Sequence, residues 1–345
     1  MARPSKPMAA AVLETDARLG VLQDRVASAF YRLKNWLPPT PLLNNPVIDD
    51  AAGCSVFLKA EPLQPTGSFK VRGAFNRLMQ LSKEGAARGV VAWSAGNHGQ
   101  ALAYVGRLLN ISVVVVAPND APKVKLDRMR DHGAEVVLYD RATESREGIG
   151  QEIARDTGRI IVPPFDDLDV MAGQGTLAIE AYRQAAVLGV RFDSAVVCVG
   201  GGGLISGIGL GLRAMGAATR LYSAEPEGYD DTRRSLIAKA RVKNDVTYRC
   251  ISDALMTETP GELTFPIMQE LVNDGFSVSE QSIRLAMRLC FDHARIVLEP
   301  GGAAALAAVL SYPDTFKDQN VLITLSGGNV DPSLFCEMLA DEEVL

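Results

Sequence analysis

Short apolar runs alternate with longer stretches of helical period through most of this chain, and that alternation restricts the fold more than any other feature. Residues 112–117 are apolar throughout after Ser112, with four valines in a row. A β-branched run this short, with no alternating polar positions, reads as a strand buried on both faces, as in a parallel sheet. The stretches 55–59, 90–93, 135–138, 159–162, 194–199, 220–224 and 321–325 read as further strands. Between them, 98–109, 123–132, 143–156, 174–187, 204–215 and 300–310 carry the apolar spacing of helices, as do 260–274 and 280–292. Strands alternating with helices predict an α/β fold of parallel βαβ units, with helices on both sheet faces.

The 345 residues leave room for two domains. Residues 86–165 have the size of a small α/β domain, and 1–85 with 166–345 make a larger one around it. Residues 1 to about 18 read as a loose tail and 19–33 as a helix. Pro38-Pro39-Thr40-Pro41 is a stiff extended break, because each proline fixes its own φ and restricts its predecessor.

Charge and cysteine usage exclude several functions. The net charge of −6 with no basic block argues against nucleic acid or an anionic membrane as a partner. Five widely spaced cysteines with no CxxC predict a reduced, cytoplasmic chain without a disulfide framework. The uncharged run 194–212 contains four consecutive glycines, so strand, loop and helix explain it better than a membrane span.

Four strand or helix ends carry chemistry. In Thr66-Gly67-Ser68-Phe69-Lys70 a lysine stands just inside a helix start, with Thr66 and Ser68 placed to cap that helix. The positive end of the helix dipole disfavours an ammonium there, which suits a lysine that works as a neutral amine. Gly200-Gly201-Gly202-Gly203 lies between a buried strand and a helix, where bare backbone N–H groups converge on an anion. Ser94-Ala95-Gly96-Asn97-His98 is a second strand-to-helix turn, suited to a carboxylate. Ser326-Gly327-Gly328-Asn329 follows a buried strand at its carboxyl end, where open α/β sheets place ligands. There is no GxxxxGK[ST]. A dinucleotide site of an NAD-dependent dehydrogenase stays open as an alternative at this point, because Glu225 ends the next strand about 20 residues on, as a ribose-binding acid would. Against it, Gly201-x-Gly203-x-x-x-Gly207 misses the GxGxxG spacing.

Together these ends supply an amine, a phosphate cradle, a carboxylate loop and a hydroxyl, the parts that hold pyridoxal phosphate and an amino acid. From Thr40-Pro41-Leu42 to Asn329-Val330-Asp331 the chain resembles the fold type II pyridoxal-phosphate enzymes, within them the threonine/serine dehydratase and serine racemase family. The elements TGSFKVRGA, SAGNHGQALA, PPFDD, AGQGT, GGGG, AEP, EPGGA and SGGN carry the likeness in that order. It implies two domains with largely parallel sheets and the cofactor, pyridoxal 5'-phosphate, in the cleft between them. It implies that Lys70 holds the cofactor covalently and removes the Cα proton, and that Phe69 flanks the ring. Gly200, Gly201, Gly202 and Gly203 would hold the phosphate. Asn97 would touch the ring hydroxyl, Ser326 the ring nitrogen, and Glu299 would be the acid near the ring. Ser94, Ala95, Gly96, Asn97 and His98 would enclose the substrate carboxylate.

The implied reaction is β-elimination from L-threonine, L-serine or a related β-hydroxy amino acid, giving a 2-oxo acid and ammonia. Serine racemase and threo-3-hydroxyaspartate dehydratase are the alternatives within the family. Racemases that resemble this chain carry serine where it has Ala95, and a methyl group cannot exchange a proton, so elimination is the expected outcome. Arg146 is a candidate for a second substrate carboxylate. The resemblance further implies a divalent cation, Mg²⁺, Mn²⁺ or Ca²⁺, on Glu225, Asp231 and the Tyr229 carbonyl, and a homodimer or homotetramer.

Overall fold

The computed structural model of the chain describes residues 8–340 apart from residue 246. Its strands are β1 (Leu42–Leu43), β2 (Ser55–Ala60), β3 (Val90–Trp93), β4 (Val113–Pro118), β5 (Glu135–Tyr139), β6 (Ile160–Ile161), β7 (Ser194–Cys198), β8 (Arg220–Pro226), β9 (Asp274–Val278) and β10 (Asn320–Leu325). They form two sheets, a six-stranded one in the order β1-β2-β10-β7-β8-β9 and a four-stranded one in the order β5-β4-β3-β6. All pairings of these strands are parallel except β1 with β2. The valine run behaves as its composition requires: β4 is central in the smaller sheet and every residue of it is buried. The smaller sheet draws all its strands from 90–161, but its core also takes Val71, Ala74, Phe75 and Leu78 from the helix Lys70–Leu78.

Helices flank the sheets, and two of them approach unusually closely. In the helix Leu168–Val187, a Cβ on Gly175 would lie 2.4 Å from the Gly207 carbonyl of the helix Gly203–Ala214. A methyl group on either glycine would push those helices apart.

The fold departs from the sequence reading in a few elements. The first helix runs Met8–Leu33, so most of the expected tail is helical; residues 1–7 lie outside the described residues. The helix expected at 174 starts at Leu168, where the Asp167 carboxylate accepts from the N–H groups of Asp169 and Val170. Gly173 and Gly175 serve close contact with neighbouring segments, which is a tertiary need. The helix expected over 260–274 is shorter, Thr264–Leu271, and gives way to the edge strand β9, with Tyr222 opposite Asp274. β9 buries Gly275, Phe276 and Val278, too few apolar positions to reveal a strand in sequence.

In each sheet the strand order reverses at a point that leaves a crevice at the carboxyl ends. β3 lies between β4 and β6, and β10 between β2 and β7. The loops leaving β3, β7 and β10, with the start of the helix Lys70–Leu78, therefore meet in one place.

Candidate active site

A cavity of about 610 Å³ opens where those ends meet. Phe69, Lys70, the whole of 94–98, Gly200 to Gly203, Glu299 and Ser326 all line it. The structure thus brings together every residue that the sequence assigned to cofactor and substrate.

Lys70 is the first residue of its helix. Its Nζ donates to the Pro164 carbonyl at 2.8 Å and stands 5.1 Å from the Phe69 ring centroid. Burial pushes the amine down to about 8, against smaller opposing pulls from Cys198 and Glu299. Desolvation disfavours the ammonium, so roughly a tenth of the amine is neutral at pH 7, far more than for an exposed lysine. The expected caps did not form: no side chain caps this helix, and the buried hydroxyls of Thr66 and Ser68 have no partner. Instead the Phe69 N–H donates to the Ser326 carbonyl at 3.0 Å, and the Gly73 N–H to Gln174 Oε1 at 3.1 Å. The loop is held by pairing between distant segments, which local sequence does not show.

The tetraglycine loop leads into the helix Gly203–Ala214, whose N-terminus has no side-chain cap. Its first N–H groups are therefore available to an anion. Gly202 has φ of +92°, a conformation that favours glycine, and side chains at Gly201 or Gly203 would strike Phe165. Thr257, whose buried Oγ1 has no partner, lies against Gly200 and lines the same cavity. An uncapped helix start, a cradle without side chains and an orphaned hydroxyl fit a phosphate. Lys70 beside them fits a group that reacts with amines.

Asn97 joins the two sides of the cavity. Its Nδ2 donates to Glu299 Oε1 at 2.6 Å, and its Oδ1 accepts from Asn329 Nδ2 at 2.7 Å. One Nδ2 hydrogen is used in this way, and the other is left for a ligand. Burial, then the nearby Asp253, pushes the Glu299 carboxyl up to about 7. Ser326 lines the cavity with Cys198, whose thiol burial raises to about 11.

The His98 imidazole is anchored through one nitrogen, and its other, Nδ1, is buried without a partner. Its Nε2 lies 2.9 Å from the Val162 carbonyl, which can only accept, so Nε2 carries the hydrogen. Burial, then Lys70, pushes the ring down to about 3, so it is neutral. Ser94 Oγ accepts from the Gly96 N–H at 3.3 Å, and the residue lines the cavity beside Ala95.

The three residues assigned to a cation are only partly in the cavity. Tyr229 lines it; Glu225 and Asp231 lie outside the lining. Both acids are fully buried. The Glu225 oxygens accept from the N–H groups of Thr232 and Arg233, each at 2.8 Å. Asp231 Oδ1 accepts from Asn244 at 2.5 Å, and its Oδ2 has no partner. Among the described residues no group of three or more His, Cys, Asp or Glu side chains is poised around one point.

Sequence reasoning missed several lining residues, including Lys125, Arg141, Cys198, Arg249 and the segment 253–257. None sits in a recognisable motif. The segment 253–257 belongs to a long irregular stretch, where binding residues concentrate, and that length was the one usable signal. Arg146 does line the cavity, although its Nε also pairs with Glu147 at 2.7 Å.

Comparison with known proteins agrees with this geometry. Residues 34–327 match the family model described as pyridoxal-phosphate dependent enzyme. The L-threo-3-hydroxyaspartate ammonia-lyase of Pseudomonas sp is 40% identical over 314 residues, 91% of this chain and 97% of that protein. The crystal structure of serine racemase from Dictyostelium discoideum superposes with a TM-score of 0.83 at 38% identity, covering 90% of this chain and 98% of that one. The processed form of threonine deaminase isoform 2 from Solanum lycopersicum gives a TM-score of 0.86 at 31% identity, covering 94% of each chain. Among the described residues no helix is long and apolar enough to cross a membrane.

Proposed function

This chain belongs to the pyridoxal-phosphate-dependent enzymes, and from that premise we propose that it is an ammonia-lyase acting on L-threonine, L-serine or a related β-hydroxy amino acid. The observation that carries this reading is the buried, partly neutral Lys70 opening onto a cavity whose opposite ends are a bare glycine loop and the turn 94–98. When bound, the cofactor supplies an electron sink for the charge left at Cα. Gly200 to Gly203 would hold its phosphate, Phe69 and Asn97 would border its ring, and Ser326 would meet the ring nitrogen. The backbone of 94–98 orients the substrate carboxylate. Lys70 takes the Cα proton as the general base. Glu299, held through Asn97, keeps the turn 94–98 against the ring side of the cavity. Loss of the β-hydroxyl then leads to a 2-oxo acid and ammonia.

Lys70 attaches the cofactor as the free amine, so attachment to cofactor-free protein should speed up as pH rises. The neutral fraction reaches one half near pH 8 and levels off about two units above it, so half of the increase is expected near pH 8. Stopped-flow absorbance across pH checks this. An increase that continues past about pH 10 would describe an ordinary exposed lysine and contradict the burial.

Elimination should outpace racemisation. Position 95, which lines the cavity, carries a methyl group with no exchangeable proton. With L-serine, pyruvate is expected to exceed D-serine by at least about tenfold, since a missing acid or base costs that much or more. D-serine formed as fast as pyruvate would make the racemase reading the better one.

A substrate with a second carboxylate is the alternative within the same chemistry. Lys125, Arg141 and Arg146 on the cavity wall favour it. The turnover of threo-3-hydroxyaspartate against serine, at equal concentration, separates the two.

The reading includes a divalent cation on Glu225, Asp231 and the Tyr229 carbonyl, supported by two adjacent buried acids and the unpartnered Asp231 Oδ2. Oxygen ligands suit Mg²⁺, Mn²⁺ or Ca²⁺. Adding the ion to chelator-treated protein should raise the melting temperature, because a ligand that binds only the folded state stabilises it. An unchanged melt with all three ions contradicts the site. The reading extends to a cytoplasmic homo-oligomer, supported by the free cysteines and by the family likeness.

A further inference from the structure

Behind the Lys70 helix lies a buried charge network that the reaction does not use. Arg72 is 1% exposed and Glu61 is fully buried. All five guanidinium N–H groups of Arg72 are committed. Nε and Nη2 donate to the two Glu61 oxygens at 2.7 and 2.8 Å. Nη1 and Nη2 donate to the two Glu180 oxygens, both at 2.7 Å. The second Nη1 hydrogen goes to Thr176 Oγ1 at 3.1 Å. Lys59, also fully buried, completes the set through Glu180 Oε2 at 3.0 Å, Gln184 at 2.9 Å and the Thr40 carbonyl at 2.7 Å. Thr40 Oγ1 donates to Glu61 at 2.6 Å. Two cations and two anions cancel, and every polar hydrogen of the cations has an acceptor.

A network of this kind is a poor source of stability, because the cost of desolvating four charges offsets their attraction. Its geometric content is large. It ties the segment before β1, the end of β2, the turn Glu61–Leu63, the Lys70 helix and the helix Leu168–Val187 to one planar fork. Lys70 and Arg72 stand two residues apart in the first turn, so they leave the helix roughly 200° apart. Arg72 faces the body while Lys70 faces the cavity. The helix start has no side-chain cap to fix it. We propose that Arg72 is a positioning residue for Lys70, setting the rotation and height of the helix start through its two bidentate carboxylates. This rests on the reading that Lys70 holds the cofactor.

The test uses Arg72→Lys, which keeps the charge and loses the fork. Cofactor-free protein is mixed with pyridoxal phosphate. Attachment is followed by visible absorbance and by borohydride trapping on Lys70, read by mass spectrometry, and turnover is then expressed per bound cofactor. Attachment and kcat per cofactor are each expected to fall ~10- to 100-fold with KM changed far less, since a displacement of about 1 Å at a reacting group costs that much. Attachment and kcat per cofactor at wild-type values, with only a lower melting temperature, overturn the proposal and leave Lys70's role intact. Wild-type protein that attaches no cofactor overturns both. If Arg72→Lys does not fold, Thr176→Val removes a single bond of the fork. A measurable slowing of attachment then supports the proposal, and wild-type attachment overturns it.

Discussion

Lys70→Ala protein is expected to fold, to hold no cofactor covalently and to lose at least about 10³-fold in turnover. General acid–base catalysis alone contributes about 10²- to 10⁴-fold, and covalent attachment through this amine is lost in addition. Stability should suffer little. The side chain gives up one hydrogen bond, to the Pro164 carbonyl, and burying an amine without a counter-charge is itself unfavourable. Absorbance of the purified protein, its melting curve and a turnover assay together check this. A Lys70→Ala protein that keeps the wild-type visible band and turnover shows that another group does the work. A protein that keeps ligand binding but never had turnover is a binding module.

Gly200→Asp should release the cofactor. Of the four glycines, this is the informative one. Gly202 has positive φ, and side chains at Gly201 or Gly203 would collide with Phe165, so substitution at any of these three confounds strain with binding. At Gly200 an added Cβ would lie 3.3 Å from Thr257 Cγ2 and 3.5 Å from Leu255 Cα, a tight fit with no positive φ. A carboxylate placed about 4 Å from the phosphate costs about 4 kcal/mol at an effective dielectric of 20. That corresponds to about a thousandfold in affinity. Titration of cofactor-free protein with pyridoxal phosphate measures it, and the melting temperature without cofactor should move little. Unchanged affinity in a folded Gly200→Asp protein would mean that the loop is a turn and the phosphate lies elsewhere.

The parts of the site that local chemistry specifies were legible in the sequence. Four consecutive glycines after the strand 194–199 mark a bare backbone turn into a helix, and a lysine at a helix start announces a depressed amine. The buried β4 needed only its valine run. What stayed hidden depends on distant partners. The Thr66 and Ser68 hydroxyls looked like caps, yet the loop is pinned by the Ser326 carbonyl, from the far end of the chain. Nothing near Arg72 and Glu61 in sequence shows that Glu180 and Lys59 converge on the same point. That the His98 ring is held by the Val162 carbonyl, 64 residues on, is likewise invisible locally. The part that Gly175 plays was hidden because close helix approach is a property of two helices.

The most direct measurement is the reaction itself. Purified protein with bound pyridoxal phosphate is incubated with L-serine, L-threonine and threo-3-hydroxyaspartate in turn, and 2-oxo acid and ammonia are measured together with the configuration of remaining substrate. At least one substrate is expected to give 2-oxo acid and ammonia in equal amounts, with little inversion of what remains. Inversion without ammonia, or no product from any of the three while the cofactor stays bound to Lys70, would contradict the assignment as an ammonia-lyase.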